Sequence, residues 1–162
     1  MKIGIISDTH NDIEGTKHAC DVFKSNKVDL IIHAGDLSSP KIIELFKDFS
    51  CKFVMGNADI DIDILNNECK DLGFDCLEET CEINVAGKRI LVMHGNVVSA
   101  FREAVASGKY DYIIKGHTHN FENYIRNNTR IINPGSLFGS SEHSIAILDT
   151  DKDEVLKINL DF

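Results

Sequence analysis

Two histidines stand one residue apart where an apolar run ends, in Ile113-Ile114-Lys115-Gly116-His117-Thr118-His119. In extended structure the side chains at i and i+2 point the same way, so both imidazoles would address one spot. A polar loop that happens to hold two histidines accounts for the same residues. Four other apolar runs end in a similar way. "GII" leads into Ser7-Asp8-Thr9-His10, and "LIIHA" into Gly35-Asp36. "KFVM" leads into Gly56-Asn57-Ala58-Asp59, and "ILVM" into His94-Gly95-Asn96. Taken singly these are dull: Asp8 and His10 are able to cap a following helix, and Gly-Asp and Gly-Asn are good turn dipeptides. Taken together, seven donors (Asp8, His10, Asp36, Asn57, His94, His117 and His119) stand at five strand ends, which points to a metal centre. In open α/β sheets the C-terminal edge of the strands is where ligands bind.

The donor types narrow the metal. None is a cysteine, which disfavours a thiolate zinc site. Imidazole mixed with carboxylate suits manganese, iron, zinc, nickel or cobalt better than calcium or magnesium. Seven donors exceed the needs of one first-row ion and suit two ions sharing a bridging group. A carboxylate bridges well because it has two oxygens. Of the other histidines, His18 lies in a helical stretch and His143 opens a strand, so both read as structural or solvated. His33 reads as a satisfied core histidine, with support of Asp36 from behind as the alternative.

The elements that must position these groups follow from apolar spacing. Residues 2–6, 28–32 and 51–55 read as strands. Residues 12–26 show helical spacing through Ile13, Ala19, Cys20, Val22 and Phe23. Ser38-Ser39-Pro40 starts a second helix that runs to about residue 49. This β-α-β-α-β order predicts a parallel sheet with right-handed crossovers. The second half reads as hairpins at 80–93, 121–133 and 143–160. Between them lie a helix over 99–108, closed by Gly108, and a strand in 110–115. Parallel units thus come first and antiparallel pairs later, as two facing sheets with helices outside.

The bulk composition excludes several classes. The chain has 162 residues, enough for one domain spanning 1–162 with a sizeable core. No apolar run approaches the ~18 residues of a membrane span. The N-terminus reads as a first strand, not a signal peptide. A net charge of −9 disfavours duplex nucleic acid and anionic membrane as partners, yet permits a small anion in a local cationic site. Five cysteines without a C-x-x-C pair suggest reduced thiols and a cytoplasmic location. Asn127-Asn128-Thr129 reads as a turn.

The order "D-x-H", "G-D", "G-N-x-D", "H-G" and "G-H-x-H" resembles the calcineurin-like metallophosphoesterases over nearly the whole chain. With "INPGS" at 132–136 it looks most like the small prokaryotic phosphodiesterases of the YfcE type. The resemblance implies an α/β fold, a four-layer α-β-β-α sandwich, and a dinuclear centre. One ion would take Asp8, His10, Asp36 and His119, the other Asp36, Asn57, His94 and His117, with Asp36 as the bridge. Manganese is the first choice, with nickel, iron, cobalt or zinc as alternatives. Asn57 and His94 would contact the phosphate, with a metal-bridging hydroxide as nucleophile. Asp59 and Asn96 would stand behind or beside the ligands.

Two positions depart from the pattern. Ala58 replaces a histidine commonly regarded as the leaving-group acid, and Asn96 stands where a second histidine of "H-G-H" is often kept. The implied activity is hydrolysis of small phosphodiesters. Alternatives are a phosphomonoesterase with the same centre, or a non-catalytic interaction scaffold of this fold. Homodimers are common among relatives.

Overall fold

The computed structural model describes residues 1–139 and 142–161. Its first sheet holds β1 (Lys2–Ile6), β2 (Leu30–His33), β3 (Cys51–Phe53), β9 (Ser144–Asp149) and β10 (Glu154–Asn159), in the order β10-β9-β1-β2-β3. The second holds β4 (Thr80–Val85), β5 (Lys88–Met93), β6 (Tyr112–Ile114), β7 (Phe121–Arg126) and β8 (Thr129–Pro134), in the order β4-β5-β6-β8-β7. Helices α1 (Ile13–Ser25), α2 (Pro40–Glu44) and α3 (Ile62–Asp71) cover the first sheet, and α4 (Val98–Ser107) the second.

Alternation along the strands builds the four layers. Ile3 and Ile5 of β1 face Ile90, Val92, Ile114 and Ile132 between the sheets. Their neighbour Ile6 turns outward to Phe23, Ile42 and Leu65 on the helices. On the other side Leu91, Met93 and Ile113 meet Val105 and Phe101 of α4. A residue shift of one in any strand would exchange these faces, so both buried surfaces hold the register.

Several expectations are refined. The second half is not purely antiparallel: β5 pairs parallel with β6, and β6 parallel with β8. Helix α4 is the crossover that returns the chain from β5 to the start of β6, and the edge strand β7, antiparallel to β8, returns it from β6 to the start of β8. The helix expected through residue 49 ends at Glu44. It continues as i→i−3 turns, Phe46 N–H to Ile43 O and Phe49 N–H to Phe46 O, which keep Phe46 in the core. Helix α3 lies where no element was expected. Ile62, Leu65, Cys69 and Leu72 recur at helical spacing along it and pack on the outer core, but no side chain caps its start to mark it. The Ser39 cap on α2, the left-handed Gly108 after α4, and the Asn127-Asn128 turn (φ 50° and 62°) match expectation. No helix among the described residues is long and apolar enough to cross a membrane. All five cysteines are free, and burial pushes the Cys20 and Cys69 thiols up to about 12.

His33 closes β2 in the core, its ring 6.0 Å from Phe46 and 6.3 Å from Phe53. The Thr9 hydroxyl donates to Asp36 O at 3.3 Å, so the His33 Nε2–H donates to Thr9 Oγ1 at 3.1 Å. Nδ1 is left a bare acceptor without a partner among the described residues. Burial lowers the pKa of this imidazole to about 3. An unfolded imidazole takes its proton near pH ~6.5. Between those values the unfolded chain binds the extra proton, so stability falls as pH drops, by up to about 1.4 kcal/mol per unit. Urea unfolding from pH 6 to pH 4 is expected to show a shallower loss for His33→Gln than for the parent chain; equal slopes would disprove the neutral core role.

Candidate metal centre

Every parallel strand of both sheets ends at one edge, and the loops leaving that edge carry the polar cluster. Asp12, not Asp8 or His10, caps α1, its side chain accepting from Gly15 N–H. That leaves Asp8 and His10 free to face the centre. Asp8 is fully buried and Asp36 is 2% exposed, although both are carboxylates.

Imidazole nitrogens converge on these two groups. His119 Nε2 lies 3.3 Å from Asp8 Oδ1, and His10 Nε2 lies 3.4 Å from Asp36 Oδ2. His94 Nε2 lies 3.3 Å from Asp36 Oδ2, 4.0 Å from Asp8 Oδ1 and 3.1 Å from Asn57 Oδ1. The Nε2 atoms of His10 and His119 face each other at 3.4 Å. His117 presents its ring edge to His94, with centroids 5.2 Å apart, and its backbone N–H donates to both Asp8 oxygens at 3.2 and 3.1 Å.

One contact decides what such a cluster needs. His94 Nδ1 lies 2.8 Å from the carbonyl of Ala34, a partner that accepts only, so Nδ1 carries the proton. In the neutral ring, Nε2 is then a lone pair pointing at oxygen atoms of Asp36, Asp8 and Asn57. Something positive has to sit among them, a proton or a metal ion. A histidine that gives its other N–H to a carbonyl is the usual arrangement of a metal ligand. The spacing also fits: donors about 2.1 Å from one ion and at ordinary bond angles are about 3.0–3.4 Å apart. Asp8 with His10 and His119, and Asp8 with Asp36 and His94, form two groups tight enough to hold an ion.

Titration follows the same geometry. Burial raises the Asp8 carboxyl above its ordinary value, and the imidazoles of His94 and His119 offset only part of that. Burial acts on Asp36 in the same direction, but the His94 contact and the Ala58 N–H at 2.8 Å outweigh it and leave Asp36 below the usual carboxylate range. Burial alone would lower His94, and its bonds to Asp36 and Ala34 raise it instead.

The loops are strained to make these aims. Asp8, His10, Asp36, His117 and His119 have φ of 53°, 42°, 60°, 69° and 58°. Left-handed backbone at such residues costs of order 1–2 kcal/mol each and persists only where surroundings hold it. The histidine pair is therefore not extended, and its two rings part: His119 turns to Asp8, His117 to His94. Two glycines make room. A Cβ on Gly56 would lie 2.1 Å from Asp36 Oδ1, and one on Gly116 would lie 2.6 Å from Asp8 Oδ2.

Asp59 ties two loops together. It is 5% exposed and accepts from the N–H groups of Asp36, Gly56 and Ser38 at 2.9, 2.8 and 2.7 Å. Asn96 is exposed at the rim of a neighbouring cleft. Sequence reasoning missed a further group that supports the cluster. Buried Asn133 donates to Gly116 O and Thr118 Oγ1, and Ser136 donates to Asp8 O. Phe138 packs on the His10 ring, with centroids 4.9 Å apart. The signal was present in "INPGS", a sixth polar segment at the end of an apolar run.

A family model for the calcineurin-like phosphoesterase superfamily domain matches residues 1–153. The chain belongs to that superfamily. It is 32% identical over 168 aligned positions to a phosphodiesterase of Methanocaldococcus jannaschii, covering 99% of this chain and all of that one. Its fold matches the solved structure of an archaeal phosphodiesterase with a TM-score of 0.91 at 31% identity, over 99% of this chain and 100% of the other. The YfcE phosphoesterase of E. coli shares the fold at 18% identity and a TM-score of 0.72, over 99% and 100% of the two chains. The expected fold class is thus borne out, in a family of metal-dependent hydrolases.

Asp59→Asn would set an amide NH₂ against backbone N–H donors. It is expected to destabilise the fold by about 2–3 kcal/mol in denaturant titration. Divalent-ion affinity, measured by calorimetry on the folded variant, should fall about 10-fold or more. Unchanged ion affinity would show that Asp59 serves the fold alone.

Proposed function

We propose that this chain hydrolyses small phosphodiesters at two divalent ions, with manganese as the first choice. Asp8, His10, Asp36 and His119 would hold one ion, and Asp36, Asn57, His94 and His117 the other. The observation that supports this most directly is the Nε2 lone pair of His94, fixed by Ala34 and aimed at three oxygen donors. Family membership and the phosphodiesterase relative supply the reaction class. Bound there, the two ions would supply a hydroxide nucleophile near neutral pH and neutralise phosphoryl charge.

The residues divide the remaining work. Asp36 Oδ2 faces both His10 and His94, while Oδ1 is occupied by the Ala58 N–H. Asp36 is therefore the residue that would be shared between the two ions. The phosphate contact expected of His94 passes to Asn57 alone, because both His94 nitrogens are engaged, and His94 would orient and hold the ion. Asn57 is exposed, with Oδ1 turned to the centre, and its NH₂ is left to donate to a phosphoryl oxygen. With two carboxylates and a hydroxide against two dications the centre would be formally about +1, a local attraction for phosphate within a chain of net charge −9. Five free thiols suit a reducing, cytoplasmic setting.

Two outcomes test this reading. The parent chain should bind about two manganese ions at saturation. Asp36→Ala should weaken both sites, and His10→Ala chiefly one. Undiminished two-ion loading in Asp36→Ala, by metal analysis after equilibrium dialysis, would remove the bridge. The second outcome concerns the leaving group. Ala58 offers no acid and Asn96 only an amide, so the departing oxygen lacks the ~10²–10⁴-fold help of a positioned acid. Rates over a series of aryl and alkyl diesters should therefore climb steeply as the leaving group becomes more acidic. A flat dependence with chemistry rate-limiting would mean that another residue delivers the proton.

A further inference from the structure

On the His94 side of the centre lies a cleft of about 170 Å³. His94 and Gly56 form its inner border, so it opens directly onto the carboxylates and imidazoles. Met55, Met93, Val97 and Ala100 give it apolar walls, and Thr80 and Asn96 add hydrogen-bonding side chains. Among its described lining residues Glu79 is the carboxylate, exposed at the rim. Val97 is 54% exposed, a large apolar side chain facing water at the mouth.

These walls are unsuited to phosphate and suited to what a phosphodiester carries beside it. A cavity of about 150 Å³ lined by apolar side chains takes benzene. The cleft therefore has room to enclose one ring. Methionine thioethers adapt to ring edges and contact them favourably. Glu79 at the outer end repels a second negative charge there, and the lining holds no lysine or arginine to offset it. On the phosphoester reading above, we propose that this cleft receives one ring-sized, uncharged arm of the diester. Substrates with a second phosphate or a carboxylate on that arm are disfavoured.

Non-hydrolysable phosphonates test this without turnover. Manganese-loaded protein is titrated calorimetrically with methylphosphonate, phenylphosphonate and 4-carboxyphenylphosphonate. Phenylphosphonate is expected to bind about 10-fold tighter than methylphosphonate. The carboxylate should cancel most of that gain, and Glu79→Gln should restore it. Val97→Trp and, on the less exposed wall, Ala100→Phe fill the cleft. Each should abolish the phenyl advantage and leave methylphosphonate affinity unchanged. Equal affinity for the phenyl and methyl compounds, or a phenyl advantage that survives both fillings, would overturn the arm site. Failure of every phosphonate to bind the loaded protein would instead overturn the phosphoester reading and this proposal with it.

Discussion

Two carboxylates buried side by side and ringed by imidazole nitrogens set the terms for this structure. Asp8 and Asp36 are almost wholly withdrawn from water, with imidazole nitrogens of His94 and His119 3.3 Å away. Burying an unpaired charge is among the largest penalties a fold can incur. The apparent contradiction resolves only if positive charge belongs at the centre. The His94–Ala34 hydrogen bond is the clearest sign of it, because it leaves the inward nitrogen without a proton unless the ring is charged.

Holding that arrangement constrains the loops more than the sheets. Five of the inward-facing residues adopt left-handed backbone, so the loops would relax elsewhere if left alone. They are held by buried polar bonds from other parts of the chain. Asp59 gathers three N–H groups from the loops after β2 and β3. Asn133 clamps the loop after β6 through Gly116 O, and Ser136 holds Asp8 through its carbonyl. Both facing sheets thus contribute to one rigid rim, and the stiffness of the paired strands is passed on to the side chains. The same rim places an apolar cleft against His94, so a charged centre and a dry wall stand next to each other.

Much of this was legible in the linear chain because strand ends announce themselves. An apolar run followed by Gly-Asp, Gly-Asn, His-Gly or Gly-His-Thr-His marks both the strand and its polar exit, and five such exits implied a shared edge. The Asn127-Asn128 turn was equally plain, since asparagine tolerates the left-handed backbone such a turn requires. Helix α3 went unread although Ile62, Leu65, Cys69 and Leu72 keep helical spacing, because no capping side chain marks where it starts. The parallel pairing of β5, β6 and β8 was hidden as well, since a hairpin-like sequence does not reveal which neighbour a strand finds after a crossover.

The sequence by itself determined which residue types gather at the edge, because apolar periodicity sets strand ends and chain order sets which ends are polar. Only the tertiary structure decided how they aim. His117 and His119 are adjacent in pattern but diverge in space, because positive φ at each rotates one ring to His94 and the other to Asp8. The inward lone pair of His94 depends on a carbonyl 60 residues away, at Ala34. The clamp by Asn133 spans 17 residues and two strands. Direction, tautomer and strain are properties of contacts between distant segments, and packing of the two sheets is what brings those segments within bonding distance.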